Sequence, residues 1–176
     1  FLSCIPGSIG GAVIMNSGCY GSDISQILLS IKVIDDKGIE KEIKKEEINF
    51  FYRGTDLPKN FIITSAKLKG VLKSKDQIEQ TQSLLITKKK ESQPSQIKTG
   101  GSTFKNDNSA KAWMLIKESG SDKLYVGDAK ISEKHCNFFV NDGKAKASDI
   151  ENLIEKVKSE VKLKTGVNLE LEIKII

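Results

Sequence analysis

The sequence predicts an α+β fold, on three observations. Its last ten residues, "VNLELEIKII", alternate: Val167, Leu169, Leu171, Ile173 and Ile175 point one way, Asn168, Glu170, Glu172 and Lys174 the other, as in a half-buried strand. Before them, Ala147 to about Lys164 sets Ile150, Leu153, Ile154, Val157 and Val161 on one helical face, with Ser148 and Glu151 spaced as a capping box and Gly166 where a helix ends. Towards the other end, Ile27–Ile34 and Ile39–Ile43 flank the turn signal "DDKG" and read as a hairpin. Strands and helices that segregate in this way make an α+β protein.

The remaining elements follow in order. Phe1 to Ile5 is a short apolar run stopped by Pro6-Gly7. "PGSIGGAVIMNSGCYG" then places glycines at 7, 10, 11, 18 and 21 around a small apolar stretch. It has neither the Lys-Ser/Thr of a Walker loop nor the spacing GxGxxG, so main chain close to a phosphate, a flat ring or simply a packing neighbour are all open readings. Phe61 to Leu72 is expected to be a buried strand and Asp76 to Lys90 a helix. "ESQPSQIKTGG" is expected to be a loop and a boundary. Ser109 to Glu118 reads as a second helix stopped near Gly120, and Cys136 to Asn141 as a short strand.

Composition removes several function classes. At 176 residues the chain makes one domain or two small lobes, and its apolar and charged fractions are those of a soluble globular protein. No apolar run approaches the ~18 residues of a membrane helix. The opening "FLSCIPGS" lacks the basic start of a signal peptide and reads as a chain entered partway through. Cys4, Cys19 and Cys136 are odd in number and widely spaced, and His135 is the only histidine. A disulfide framework or a metal site is therefore not expected, and a reducing cytoplasm is. The net charge of +5 is carried by lysines interleaved with acidic residues, without the aromatic or basic-helix motifs of nucleic-acid binders.

Three residues stand out chemically. Ser102 follows two glycines in "TGGSTFKND", as a turn residue, a phosphate ligand or a nucleophile would. Serine hydrolysis lacks support, because no GxSxG elbow is present and only one imidazole exists. Arg53, in "FFYRGTDLP", is the only arginine in the chain. Where lysine is the default cation, a lone arginine points to a planar, bidentate contact, with a structural salt bridge as the other reading. Glu172 sits on the alternating segment, where a rigid strand aims a carboxylate well.

Taken in order, "FLSCIPGSIGGAVIMNSGCYG", "FFYRG", "KKKESQP", "GGSTFKN", "GDAKISEKHCNFFVN" and "GVNLELEIKII" resemble the UDP-N-acetylenolpyruvoylglucosamine reductase family. These are flavoenzymes that make UDP-N-acetylmuramate for bacterial peptidoglycan. The resemblance implies part of a PCMH-type FAD-binding domain over residues 1–93 and a smaller α+β substrate-binding domain over 94–166. It implies a last strand, 167–176, that returns to the FAD-binding side. "KKKESQP" resembles the form of the family that lacks an extra tyrosine-bearing loop over the substrate. The family's first lobe, with its own flavin pyrophosphate loop, has no counterpart here.

By resemblance, Arg53 meets the substrate carboxylate, Ser102 gives a proton to the substrate carbon and Glu172 assists. FAD would be held by Ile5, Pro6, Gly7, Ser8, Gly10, Gly11, Asn16 and Gly18. Tyr52, Lys90 and Asn106 would contact the UDP-sugar, with NADPH as hydride donor. The expected partner is this small molecule, not nucleic acid or membrane, and the expected state is a monomer in the cytoplasm. A serine is normally too weak an acid at pH 7, but a carbanion-like carbon is basic enough to take a proton from a neutral hydroxyl. Four positions depart from the family pattern: Cys4 for glycine, Thr55 for serine, and Asp107 and Leu171 each for proline. None removes a catalytic side chain. The other reading left open is a truncated, non-catalytic remnant that binds a UDP-sugar.

Overall fold

The computed structural model describes residues 1–106 and 110–175, and they separate into two units, Phe1–Lys89 and Lys90–Ile176. The first unit opens with a 3-10 turn, Leu2–Cys4, and a one-and-a-half-turn helix α1 (Ile9–Ile14). Two very short strands, β1 (Gly18–Cys19) and β2 (Ser22–Asp23), pair antiparallel. Gly18 is obligatory in that pair: a Cβ there would stand 2.5 Å from the Ser22 carbonyl oxygen.

β3 (Leu28–Ile34) is the centre of a three-stranded antiparallel sheet, with β4 (Glu40–Lys44) on one side. The predicted turn forms. Asp35 Oδ1 accepts the N–H groups of Lys37 and Ile39, each at 3.0 Å, and Gly38 takes the left-handed φ of 77° that glycine adopts without cost. The Lys41 ammonium at 2.9 Å, helped by the Ile39 N–H, holds the Asp35 carboxyl below its usual range. Leu28 joins Ile31 and Val33 in the core, out of strict alternation, because the ladder of β3 with β7 slips between Leu28 and Ser30. The Ser30 hydroxyl meets Glu42 Oε1 at 2.7 Å.

β5 (Phe50–Phe51) and β6 (Gly54–Thr55) form a separate small hairpin, and β7 (Ile62–Leu68) closes the other side of the β3 sheet. The expectation of a buried strand here is corrected. β7 is an edge, so Ile63, Ala66 and Leu68 face the core while Ile62 stays two-thirds exposed. Val13, Ile24, Leu28, Ile31 and Val33 make that core. Helix α2 (Lys75–Ser92) follows, started by a reciprocal cap between Ser74 and Gln77, and none of its residues is buried.

The second unit is built on an antiparallel sheet of order β8 (Lys98–Ser102), β11 (Phe138–Asn141), β10 (Ala129–Ile131), β9 (Tyr125–Val126). β8 occupies the predicted loop. Its two glycines do not prevent pairing with β11, and Gly101 takes a left-handed φ of 89° beside the irregular register. Helix α3 (Ala112–Glu118) begins later than predicted, Ser109 and Asp107 lying outside the described residues. Helix α4 (Ala147–Thr165) has the predicted face, with Leu153, Ile154, Val157 and Val161 buried, and ends at Gly166 with φ 76°. Its cap differs: Asp149, not Ser148 with Glu151, accepts the Lys146 N–H at 2.8 Å, because the helix starts two residues earlier than that box requires.

The alternating last segment makes one bridge, Leu171 to Phe104, not a full strand. Val167, Leu169, Leu171 and Ile173 pack on the second unit's core, and Glu170 and Lys174 stay exposed. Residues 167–175 thus group with the second unit. No helix among the described residues is long and apolar enough to cross a membrane.

Phe104 is the centre of this core, fully buried and edge-on to Phe139 at 5.8 Å. Phe104→Ala is expected to destabilise the second unit by about 3–5 kcal/mol, the range for deleting a buried phenylalanine. Urea unfolding followed on Trp113, the sole tryptophan and a residue of α3, should show a lower midpoint with an unchanged slope. An unmoved midpoint would show that Phe104 is not central to the packing.

Candidate functional site

The residues singled out from the sequence fall into two groups, one on each unit. On the first unit the β5–β6 hairpin leaves Tyr52-Arg53 as a two-residue loop, with Phe50 opposite Thr55 and Phe51 opposite Gly54. Such loops need a positive φ, normally supplied by glycine or asparagine. Here Arg53 takes it, at φ 58°, a conformation that costs an L-residue roughly 1–2 kcal/mol. Strain of this kind persists where the surroundings enforce it and is concentrated at working sites. The enforcement is visible. Asn49 and Asp56 close the hairpin base with bonds of 2.9 and 2.6 Å, and Asn16 Nδ2 donates to the Phe51 carbonyl at 3.3 Å. A Cβ on Gly54 would stand 2.1 Å from the Phe51 ring. The Arg53 guanidinium lies over the Tyr52 ring at 4.7 Å, and Tyr52 is half exposed.

The glycine-rich stretch divides by task. Gly10 packs closely, since a Cβ there would sit 3.4 Å from Ile63 Cβ, and Gly18 is fixed as described. Both ends of the buried Asn16 amide are in use: Oδ1 accepts the Ser25 N–H at 3.0 Å, opposite the Phe51 contact. Ser8 caps α1 through the Gly11 N–H at 3.1 Å. Pro6, Gly7, Ser8 and Gly11 are exposed, Ile5 is half-buried, and an added Cβ on Gly7 would meet nothing within 4 Å.

On the second unit, Ser102 is the last residue of β8, paired with Phe138. Its hydroxyl makes no hydrogen bond among the described residues. Immediately after it the chain leaves the sheet. The Thr103 carbonyl accepts the Glu172 N–H at 2.8 Å, and the Lys105 N–H is accepted by Glu170 at 2.8 Å. The backbones that carry Ser102 and Glu172 are therefore joined across one bridge. Asn106 Oδ1 accepts the Ala112 N–H at 3.1 Å and so helps start α3, and the exposed Lys90 accepts Lys134 Nζ on its carbonyl.

Two supporting residues escaped the sequence reading. Asn137, buried to 3% exposure, donates from Nδ2 to the Phe104 carbonyl at 2.7 Å and accepts the Phe104 N–H on Oδ1 at 2.9 Å. Its own carbonyl accepts the Thr103 N–H at 2.7 Å. His135 Nδ1 accepts the Asn137 N–H at 3.2 Å, which assigns the remaining proton of the neutral ring to Nε2, and the ring stands edge-on to Phe138 at 4.9 Å. The only available signal was a polar residue standing directly before "FFV", which has no pattern-level meaning. Among the described residues no cluster of three His, Cys, Asp or Glu suits a metal ion.

This geometry defines a two-unit α/β protein whose second unit presents a serine and a glutamate on adjoining backbones. Residues 93–176 match the family model described as UDP-N-acetylenolpyruvoylglucosamine reductase, C-terminal domain. The chain is 46% identical to the UDP-N-acetylenolpyruvoylglucosamine reductase of Pelagibacter ubique, aligning over all of itself and 59% of that protein. It is likewise 46% identical to that of Wolbachia pipientis wMel, over all of itself and 60% of the relative. The crystal structure of UDP-N-acetylenolpyruvylglucosamine reductase from Thermus caldophilus superimposes with a TM-score of 0.86 at 36% identity, over 97% of this chain and 60% of that one. Along its whole length the chain is thus similar to UDP-N-acetylenolpyruvoylglucosamine reductases, and it spans about three-fifths of the length of these relatives.

Burial pushes the His135 imidazole below its ordinary pKa. The unfolded chain, at ~6.5, then binds the proton more readily than the folded one, so stability is complete above ~6.5 and falls as the pH drops through the folded value. Urea midpoints of the second unit should decline between pH 7 and 5, and His135→Gln should flatten that decline. An equal decline in the variant would remove His135 as its cause.

Proposed function

We propose that this chain provides the proton donor and substrate clamp of an NADPH-dependent, FAD-containing reductase acting on UDP-N-acetylglucosamine enolpyruvate in peptidoglycan synthesis, in the cytoplasm. The observation that carries the proposal is the join between Ser102 and Glu172: an uncommitted hydroxyl and a carboxylate on neighbouring backbones of one unit. The likeness to these reductases supports the substrate class. Residues 1–93 would then contribute part of the flavin-binding domain and 94–166 the substrate-binding one.

The exposed, bare main chain at Pro6 to Ser8, with the open space at Gly7, fits a flat ring or a phosphate. Ile5, Pro6, Gly7, Ser8 and Gly11 would hold the flavin, while Gly10, Asn16 and Gly18 keep that stretch in shape. When bound, FAD supplies the hydride that adds to the enolpyruvyl double bond.

The chain's own residues do the rest. Arg53 binds the substrate carboxylate and stabilises negative charge as it spreads there, an interaction that grows towards the transition state. Tyr52, under the guanidinium, limits its orientation. Ser102 donates its hydroxyl proton to the substrate carbon, and Glu172 steadies the serine as the proton leaves. Lys90 and Asn106 lie on the same unit as Ser102 and would serve the UDP portion.

Ser102→Ala, made in the intact gene product, should leave flavin reduction by NADPH within about twofold. Reoxidation by the enolpyruvyl substrate should slow at least ~10²-fold, the usual cost of losing a general acid. Equal slowing of both half-reactions in stopped flow would make the serine structural and the reading wrong.

Arg53→Lys keeps the charge but loses the fork, and should weaken substrate binding and turnover together. Arg53→Gly fits the positive φ but removes the guanidinium altogether, and should lose the substrate half-reaction. A glycine variant that still turned over substrate at the wild-type rate would reduce Arg53 to a turn residue.

A further inference from the structure

Beyond Ser102 and Glu172 themselves, the structure bears on what holds them. The main chain from Thr103 to Lys105 has left the β8–β11 ladder, and its polar groups need partners of their own. Asn137 alone satisfies three of them. Its amide takes both the N–H and the C=O of Phe104, and its carbonyl takes the N–H of Thr103. A primary amide is the one short side chain that can donate and accept side by side. Of the other three, the Thr103 carbonyl and the Lys105 N–H go to the main chain of Glu172 and Glu170. The same three-residue stretch is thus gripped on one side by Asn137 and on the other by the segment bearing Glu172.

We propose that Asn137 is a positioning residue for Ser102: by fixing the main chain directly after the serine, it sets where the hydroxyl stands and keeps Glu172 in register with it. The assignment rests on the reading of Ser102 as the proton donor. Asn137 touches no reacting atom and acts only through Thr103 and Phe104. Removing its amide leaves the Phe104 N–H and C=O buried and unmatched, so the segment shifts to find other partners. A shift of about 1 Å at a proton donor is enough to cost on the order of 10²-fold in rate.

The test compares Asn137→Ala and Asn137→Asp with Ser102→Ala and the double variant Ser102→Ala/Asn137→Ala in the intact gene product. Aspartate keeps the shape and the acceptor for the Phe104 N–H but loses the donor to its carbonyl, and carries the test should the alanine variant not fold, as judged by Trp113 fluorescence. Two readouts are taken. Amide hydrogen exchange, which requires no flavin, should quicken at Thr103 and Phe104 in both single variants while the β10–β11 pairing stays protected. In stopped flow, reoxidation by substrate should slow about 10- to 100-fold with flavin reduction by NADPH unchanged, and the double variant should be no slower than Ser102→Ala alone.

Proportional slowing of both half-reactions, or additive losses in the double variant, would overturn the proposal. So would wild-type reoxidation in both Asn137 variants alongside a slow Ser102→Ala, and in that case the reading of Ser102 would stand. A Ser102→Ala protein at wild-type rate would instead remove that reading, and the positioning role with it.

Discussion

The second unit depends on a single hydrogen-bonded clamp, the Asn137 amide closed on Phe104. Phe104 belongs to a stretch that is neither strand nor helix, yet its ring lies at the centre of the core with no exposure at all. Burying such a stretch strands its main-chain groups, each at a cost of about 1–3 kcal/mol if left unmatched. The buried amide removes that cost for two groups at once, and only then can the ring meet Phe139 edge-on. The bridge from Phe104 to Leu171 follows, and with it the packing of Leu169, Leu171 and Ile173. A hydrophobic core is therefore closed by a polar side chain, and its last segment is held in place by the same residue that the clamp fixes.

The first unit meets a comparable demand with strain. Asn16 and Arg53 both adopt positive φ, at 39° and 58°, and they sit on the two pieces that hydrogen bonds from Asn16 and Thr55 tie together, the end of α1 and the β5–β6 hairpin. Glycine would relieve either position. An asparagine at the first is explained by its two amide contacts, which glycine lacks. At the second the conformation falls to an arginine, on a hairpin whose base Asn49 and Asp56 close.

How much of this was legible in the sequence depends on the range of the interactions. Helix α4 and the β3–β4 hairpin were readable because their signals are local: an apolar face at helical spacing, a glycine stop, an Asp-Asp-Lys-Gly turn. Ser102, Arg53 and Glu172 were singled out by a Gly-Gly-Ser, a lone arginine and the order of the motifs. The failures are non-local. "KTGGS" looks like a loop because two glycines weaken a strand, and becomes β8 only because β11 offers a partner. "FIITSAKL" looks buried from its apolar content, but its place at the sheet edge leaves one face open. The final ten residues alternate as a strand does, yet their partner is three residues of irregular chain. Asn137 could not be found, since a buried amide clamp has no period and no spacing.

The same accounting separates Ser102 from the polar groups around it. Thr99 Oγ1 donates to Phe139, Asn106 is committed to Ala112, Asn137 to Phe104, and the Thr103 main chain to Asn137 and Glu172. A neighbourhood so fully paired leaves little freedom for a side chain to be placed by accident. The Ser102 hydroxyl, one residue before the clamp and uncommitted among the described residues, is held by groups it does not itself touch. A turn serine would be expected to bond its own backbone two residues on. This one makes no such bond among the described residues and stands on a strand end tied to Phe104, the kind of support that the proposed proton donor would need.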